Sequence, residues 1–319
     1  MIKGYSLKGM GKIALGTHLG DFSKEDSEKY VQAISYSLTN GINTIDGAIN
    51  YRGMSSEKDI GFAIRELLSE NKIKREDIFI TSKAGLLFGD IQEKINPMKY
   101  LTEILEPEGI SIDDFTEYEG LYQTLNPLFY EIALKQSIKN LGLETIDVHY
   151  IHIPEISKLS MPIEEFYDKM EKLFAWYETK VQEGFIRYYG IALEFMVEEP
   201  SDEKWHFEIE ELVCRARKVA KGESHFKYVL FEYNKLCTSA QTVKNQKVAS
   251  KTISLADACH EFNLETVGSM PFAMGDCFAK YTVEELVEFA LSGVDHVIFG
   301  SKNINHIKEI YEIAEKCNN

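Results

Sequence analysis

Four side chains of different chemistry stand at or just beyond the ends of short apolar runs. They are Asp46 after NTI, Tyr51 five residues on, Lys83 at the end of IFITSK and His152 at the end of TIDVHYIH. A carboxylate, a phenol, an ammonium and an imidazole gathered at one place suit protonation of an alkoxide as hydride reaches a carbonyl carbon. A phenol has an ordinary pKa of about 10 and is a poor acid at neutral pH unless its anion is favoured. A nearby ammonium favours it, and a buried ammonium needs a carboxylate such as Asp46 to stay charged. An imidazole beside them can orient the carbonyl. Singly, each residue has an ordinary reading: Asp46 as a cap, Tyr51 as one of 17 tyrosines, Lys83 as a solvated rim charge. His149 and His152 lie three apart on one strand and so point to opposite faces. The one nearer the strand end, His152, is the candidate, and His149 is a packing residue.

The elements that must position these groups alternate along the chain. Strand candidates are KIALGT (12–17), NTIDGA (43–48), IFITSKA (78–84), TIDVHYIHI (145–153), IRYYGIAL (186–193), KYVLFEYN (227–234), ETVGSMPF (265–272) and HVIFGS (296–301). Each is followed by a helical pattern. Ser23 can cap a helix with Tyr30, Val31, Ile34 and Leu38 on one face, which Gly41 can end, and Thr282-Val-Glu-Glu285 is a capping box. Strand–helix alternation implies parallel strands joined by right-handed crossovers. Eight units in 319 residues predict a single α/β domain, a (β/α)8 TIM barrel over 1–319. An open doubly wound sheet is the alternative. In a barrel the C-terminal strand ends face the mouth, and Asp46, Lys83 and His152 all sit there. Roughly forty residues, 86–126, interrupt the rhythm after the third strand. Loops of that length are functional or partly structured. This insertion is expected over the C-terminal barrel face as a lid or side wall, its aromatics Phe88, Tyr100, Phe115, Tyr118 and Tyr122 furnishing apolar surface. A shorter acidic break follows at 195–206.

Composition narrows the classes of function. Lys plus Arg number 35 against 51 Asp plus Glu, a net charge of 35 − 51 = −16. That balance opposes nucleic acid and anionic membrane as partners. Five scattered cysteines show no metal-ligand or disulfide spacing, and no apolar leader or membrane-length run is present. The expectation is a cytoplasmic monomer or weak oligomer without metal. Gly9-Met-Gly11 lacks the third glycine of a dinucleotide fingerprint, and no P-loop or HExxH occurs.

The segment TIDGAINYRGMSSEKDIGFAI (44–64) resembles the aldo-keto reductase signature, with Asp46, Ala48, Tyr51, Ser56, Glu57 and Gly61 in matching places. FITSKAG (79–85), LGLETIDVHYIHIP (141–154), EGFIRYYGIA (183–192) and FGSKNINHIKE (299–309) are similar to further stretches of that family, in the same order along nearly the whole chain. The resemblance implies NADPH-dependent reduction of a small-molecule aldehyde or ketone. Tyr51 would be the general acid, Lys83 and Asp46 its tuning pair, and His152 the carbonyl-orienting residue. Gly16 and Thr17 would sit near the nicotinamide ribose, and Ser301, Lys302 and His306 at the adenosine phosphates of NADP. The bare sequence equally reads GSKN as a helix cap.

Departures fall at the nicotinamide. Where the family commonly has Ser-Asn after the fifth strand, this chain has Ala192 and Leu193; Leu230 replaces a common Gln, and Ser269 a stacking aromatic. Glu194, Glu232, Asn234 or Met270 are candidate substitutes. Two other readings therefore stand beside the reductase: a redox-neutral proton-transfer enzyme (epimerase, cyclase or lyase) and a cofactor-binding scaffold or sensor without turnover.

Overall fold

A computed structural model describes residues 1–198 and 204–317. In chain order its strands are β1 (Ile13–Gly16), β2 (Thr44–Asp46), β3 (Phe79–Ala84), β4 (Thr116–Tyr118), β5 (Leu121–Gln123) and β6 (Ile146–His152). β7 (Ile186–Ala192), β8 (Phe226–Glu232), β9 (Lys244–Val248), β10 (Lys251–Ser254), β11 (Glu265–Ser269) and β12 (His296–Gly300) complete the set. The helices are α1 (Lys24–Thr39), α2 (Ser55–Ser69), α3 (Pro97–Tyr100), α4 (Pro127–Leu141), α5 (Glu155–Lys158) and α6 (Ile163–Gln182). α7 (Ile209–Val219), α8 (Ser239–Thr242), α9 (Leu255–Glu261), α10 (Val283–Gly293) and α11 (Ile304–Cys317) follow. Eight strands close a barrel in the order β1-β12-β11-β8-β7-β6-β3-β2, every neighbour parallel. This is the (β/α)8 barrel, and its eight strands coincide with the eight sequence candidates.

Strands covered on both faces become apolar throughout. All seven residues of β6 are buried, Val148 and Tyr150 packing inside the barrel with Phe79, Tyr228, Leu230 and Ile298. Its alternate residues face the helices. His149 Nδ1 lies 2.8 Å from the Tyr177 hydroxyl on α6, so it is the packing histidine, while His152 reaches the mouth. Helix ends follow local chemistry. The Ser23 hydroxyl accepts from Asp26 N at 3.1 Å, and Thr282 with Glu285 forms the capping box of α10. Gly61 is required by packing, since a Cβ there would stand 2.3 Å from the Asn140 carbonyl oxygen of α4. No helix among the described residues is long and apolar enough to cross a membrane.

The insertion is structured. It holds α3, a π-helical turn (Leu101–Leu105) and the β4–β5 hairpin, and it is fastened to α2 by Lys58 Nζ, 2.7 and 2.8 Å from the Asp90 carboxylate oxygens. Its aromatics behave differently from the expectation. Phe88, Tyr100, Leu101, Leu105 and Ile110 are buried in the main core, with Phe88 5.5 Å from Phe129 on α4. The five aromatics are absent from the cavity wall, to which Leu86 and Leu121 contribute instead. Phe88 and Phe115 pack against Phe129 of α4, and Tyr118 packs edge-on to Phe195 and Trp205, so these rings cover apolar surface away from the cavity. The acidic segment 195–206 is only partly described, because 199–203 lie outside the described residues.

Candidate active site

Asp46 and Lys83 end neighbouring strands, and β2 pairs with β3 so that Asp46 faces Thr81. The Lys83 ammonium, 1% exposed, donates to Asp46 Oδ1 (2.7 Å), Asp46 Oδ2 (2.6 Å) and the Gly47 carbonyl (2.9 Å). Its three protons are thereby all engaged. The Thr81 hydroxyl adds a bond to Asp46 Oδ1 at 2.6 Å. Tyr51 stands above this pair, its ring centroid 4.8 Å from Lys83 Nζ. Two imidazoles flank the same ring, His18 at 4.6 Å and His152 edge-on at 5.8 Å. The four residues singled out from the sequence are thus brought together around one cavity.

The electrostatics differ from the sequence expectation in one respect. Burial, with the Asp46 and Glu194 carboxylates, holds the Tyr51 phenol well above its ordinary pKa. The Lys83 ammonium, engaged by Asp46 at bonding distance, does not outweigh these causes in the resting protein. The phenol is consequently a protonated donor at neutral pH. His152 is held well below its usual value by burial and by Lys83, and His18 is lowered by the same two causes. Both imidazoles are neutral and able to share hydrogen bonds with a carbonyl oxygen or a hydroxyl.

The cavity, about 480 Å³, opens at the C-terminal mouth and is lined by Tyr51, His18, His152, Leu86, Glu194, Phe272 and others. Among the described residues lining it, Lys83 is the one Lys or Arg. Glu194 and Glu232 have no cationic partner among the described residues; Glu232 accepts from Asn234 Nδ2 at 2.8 Å. Partial burial and Glu232 push the Glu194 carboxyl up. Sequence reasoning overlooked His18, although its place just past β1 obeys the strand-end rule.

The profile of the Aldo/keto reductase family matches residues 9–318. The chain belongs to the aldo-keto reductase family. Among relatives, aldose reductase C of Dictyostelium discoideum is 24% identical over 283 residues, covering 88% of this chain and 71% of its own. Aldose reductase B of the same organism is 31% identical over 56% of this chain and 49% of its own length. The fold is shared with the silkworm (Bombyx mori) aldo-keto reductase complexed with NADPH, at TM-score 0.59, 19% identity, and 95% and 79% of the two chains. Aldo-keto reductases are oxidoreductases of small carbonyl compounds and use a nicotinamide cofactor.

The residues of this aldo-keto reductase fit such a cofactor at one end and depart from it at the other. At the phosphate end, β12 runs into the N-terminus of α11, where free N–H groups and the helix dipole favour an anion. Lys302 stands there half-buried with exposed His306, and Lys302 Nζ is paired with an Asp26 carboxylate oxygen. Ser301 accepts from Asn303 N (3.1 Å) and Asn303 Oδ1 from Asn305 N (2.9 Å), which is the cap reading of GSKN. Gly16 lines the cavity, where a Cβ would stand 2.8 Å from Ile298 Cγ2. Thr17 does not line it. This residue is fully buried, donating to the Asp46 carbonyl at 2.8 Å, and so braces the loop after β1. At the nicotinamide end Ala192, Leu193 and Leu230 present aliphatic wall, and the Ser269 hydroxyl is engaged by the Phe231 carbonyl at 3.2 Å.

Behind that wall lies Glu155, a residue with no sequence signal. It is fully buried and its carboxyl is raised from 4.5 to about 7 by burial, against backbone hydrogen bonds that lower it. A raised carboxyl pKa means the native state binds the proton more tightly than the unfolded chain. Its contribution to stability is complete below the unfolded value and is lost as pH rises through the folded one. From pH 5 to pH 8 the parent should therefore lose up to about 3 kcal/mol relative to Glu155→Gln. Urea unfolding of both proteins at the two pH values measures this, and a constant gap would mean that Glu155 is ionised throughout.

Proposed function

We propose that this aldo-keto reductase reduces a small aldehyde or ketone with NADPH, acting in the cytoplasm as a monomer or weak oligomer. NADPH, when bound, supplies the hydride. Tyr51 gives its proton to the carbonyl oxygen, His152 orients that oxygen, and the Lys83–Asp46 pair keeps a positive charge beside the developing negative one. The observation that carries this reading is Tyr51 on the cavity wall, its ring flanked by two neutral imidazoles with a saturated, buried ion pair beside it. Loss of NADPH absorbance on adding simple aldehydes tests it. Absence of nucleotide binding in a fluorescence titration would sink it in favour of redox-neutral proton transfer, the reading that the aliphatic wall of Ala192, Leu193 and Leu230 supports. Tight nucleotide binding without turnover on any carbonyl would leave a scaffold or sensor.

The choice of NADPH over NADH rests on Lys302. A 2′-phosphate carries more charge than the Asp26 carboxylate and competes for the same ammonium. Lys302→Ala is expected to weaken NADPH binding about tenfold while leaving NADH nearly unchanged. Equal weakening of both, read by the same titration, would show that Lys302 supports the loop and reads no phosphate.

A further inference from the structure

Beyond Leu193 the chain leaves the barrel. Leu193 N is the last to bond across the sheet, to the Leu230 carbonyl at 2.7 Å. The next three N–H groups, of Glu194, Phe195 and Met196, converge on one atom, Glu155 Oε1, at 2.8, 3.2 and 3.5 Å. Glu155 is fully buried, and its second oxygen, Oε2, is sealed from solvent with no hydrogen-bond partner among the described residues. The segment so held is one wall of the reaction cavity. Leu193 and Glu194 line it, and the Glu194 carboxylate is near enough to Tyr51 to help keep the phenol protonated. Glu155 itself belongs to the turn that follows His152, where Ile153 adopts φ +50° and donates to the Ala192 carbonyl at 2.8 Å. On the outer side Phe195 stacks on Trp205 (4.5 Å, 25°) and meets Tyr118 of the insertion hairpin edge-on at 5.6 Å. Glu155 thus joins the turn bearing the carbonyl-orienting histidine to the wall facing it.

A buried carboxyl is costly to keep where an apolar side chain would fill the space. Its retention here matches a geometric demand: three successive N–H groups have left the sheet, and one acceptor satisfies them all. We propose that Glu155 is a positioning residue for the reaction. Through these three bonds it sets where Leu193 and Glu194 stand relative to Tyr51, and so which substrates reach the proton donor. Glu194 then makes the wall selective. With Glu232 it lines a cavity in which Lys83, the one Lys or Arg among the described lining residues, is engaged by Asp46, and it so disfavours carbonyl compounds that carry a carboxylate. The proposal rests on the reductase reading of the cavity.

The test uses the full chain and two para-substituted probes, nitrobenzaldehyde and carboxybenzaldehyde. The parent should prefer the neutral probe. In Glu155→Ala the KM for nitrobenzaldehyde should rise about tenfold with kcat within about threefold, and the preference over carboxybenzaldehyde should narrow. Glu155→Gln, which keeps an acceptor oxygen, should restore both. Glu194→Ala should also narrow the preference, and adding Glu155→Ala to it should narrow it no further. Amide hydrogen exchange provides a readout independent of activity: protection at 194–196 should be lost in Glu155→Ala and kept in Glu155→Gln. Unchanged KM and preference in Glu155→Ala, or a preference that narrows equally in Glu155→Gln, would overturn the positioning role. So would protection at 194–196 that survives Glu155→Ala. Should Glu155→Ala not fold, Glu155→Gln against Glu194→Ala still decides whether the wall selects. Should the parent reduce neither aldehyde, the reductase reading fails by itself, and exchange at 194–196 still decides whether Glu155 holds the wall.

Discussion

Tyr51→Phe is expected to lower kcat/KM for aldehyde reduction by about two to four orders of magnitude, the usual worth of a positioned general acid. The thermal midpoint should stay nearly unchanged. Only a hydroxyl is removed, and that hydroxyl faces the cavity with no hydrogen-bond partner among the described residues, so no buried group is orphaned by its loss. The ring keeps its contacts with His18 and His152. The loss should fall on kcat and kcat/KM alike, because the proton is needed only as the alkoxide forms. Nucleotide affinity should be retained. Should the variant keep most of its activity, the proton comes from elsewhere, and neutral His152 or His18 becomes the candidate.

Lys83→Met carries the second large effect, and it strikes stability as well as turnover. The ammonium is the cationic partner of Asp46, which is itself buried at 3% exposure. Removing one partner of a buried pair leaves an uncompensated charge, at a cost of about 3–5 kcal/mol. For a chain of this size that corresponds to a fall in Tm of roughly 5–8 degrees. Turnover should fall nearly as far as in Tyr51→Phe, since the positive charge beside the developing oxyanion is gone. Adding Asp46→Asn removes the orphaned charge, so the double variant should regain much of the stability and none of the activity. That separation distinguishes a catalytic charge from a structural one. Recovery of both in the double variant, followed by thermal unfolding and NADPH consumption, would assign the pair to the fold alone.

The barrel was legible because its signals are local. Each strand is a short β-branched run and each helix carries its own stripe and cap, as Ser23 and Thr282 illustrate. Asp46, Lys83 and His152 were legible for a related reason. Residues ending consecutive parallel strands are neighbours wherever the sheet closes. The insertion was legible as an interruption, whereas the direction of its aromatics was not. Phe88 packs with Tyr100 and with Phe129, the latter about forty residues away, and no periodicity within the insertion encodes that partner.

By itself, then, the sequence determined the order of elements, the face of β6 that carries His152, and the set of groups gathered at the mouth. These follow from period and strand-end position, which are properties of neighbouring residues. Tertiary structure alone decided the electrical state of that set. Burial, with the Asp46 and Glu194 carboxylates, holds Tyr51 as a protonated phenol even with the Lys83 ammonium beside its ring. Only packing made Thr17 a buried strut, tied Lys302 to Asp26, and turned Glu155 beneath the 194–196 wall. Charges and hydrogen bonds act through space over a few ångströms, between residues separated by about forty positions in one case and 276 in another. Such separations leave no pattern in the chain until it is folded.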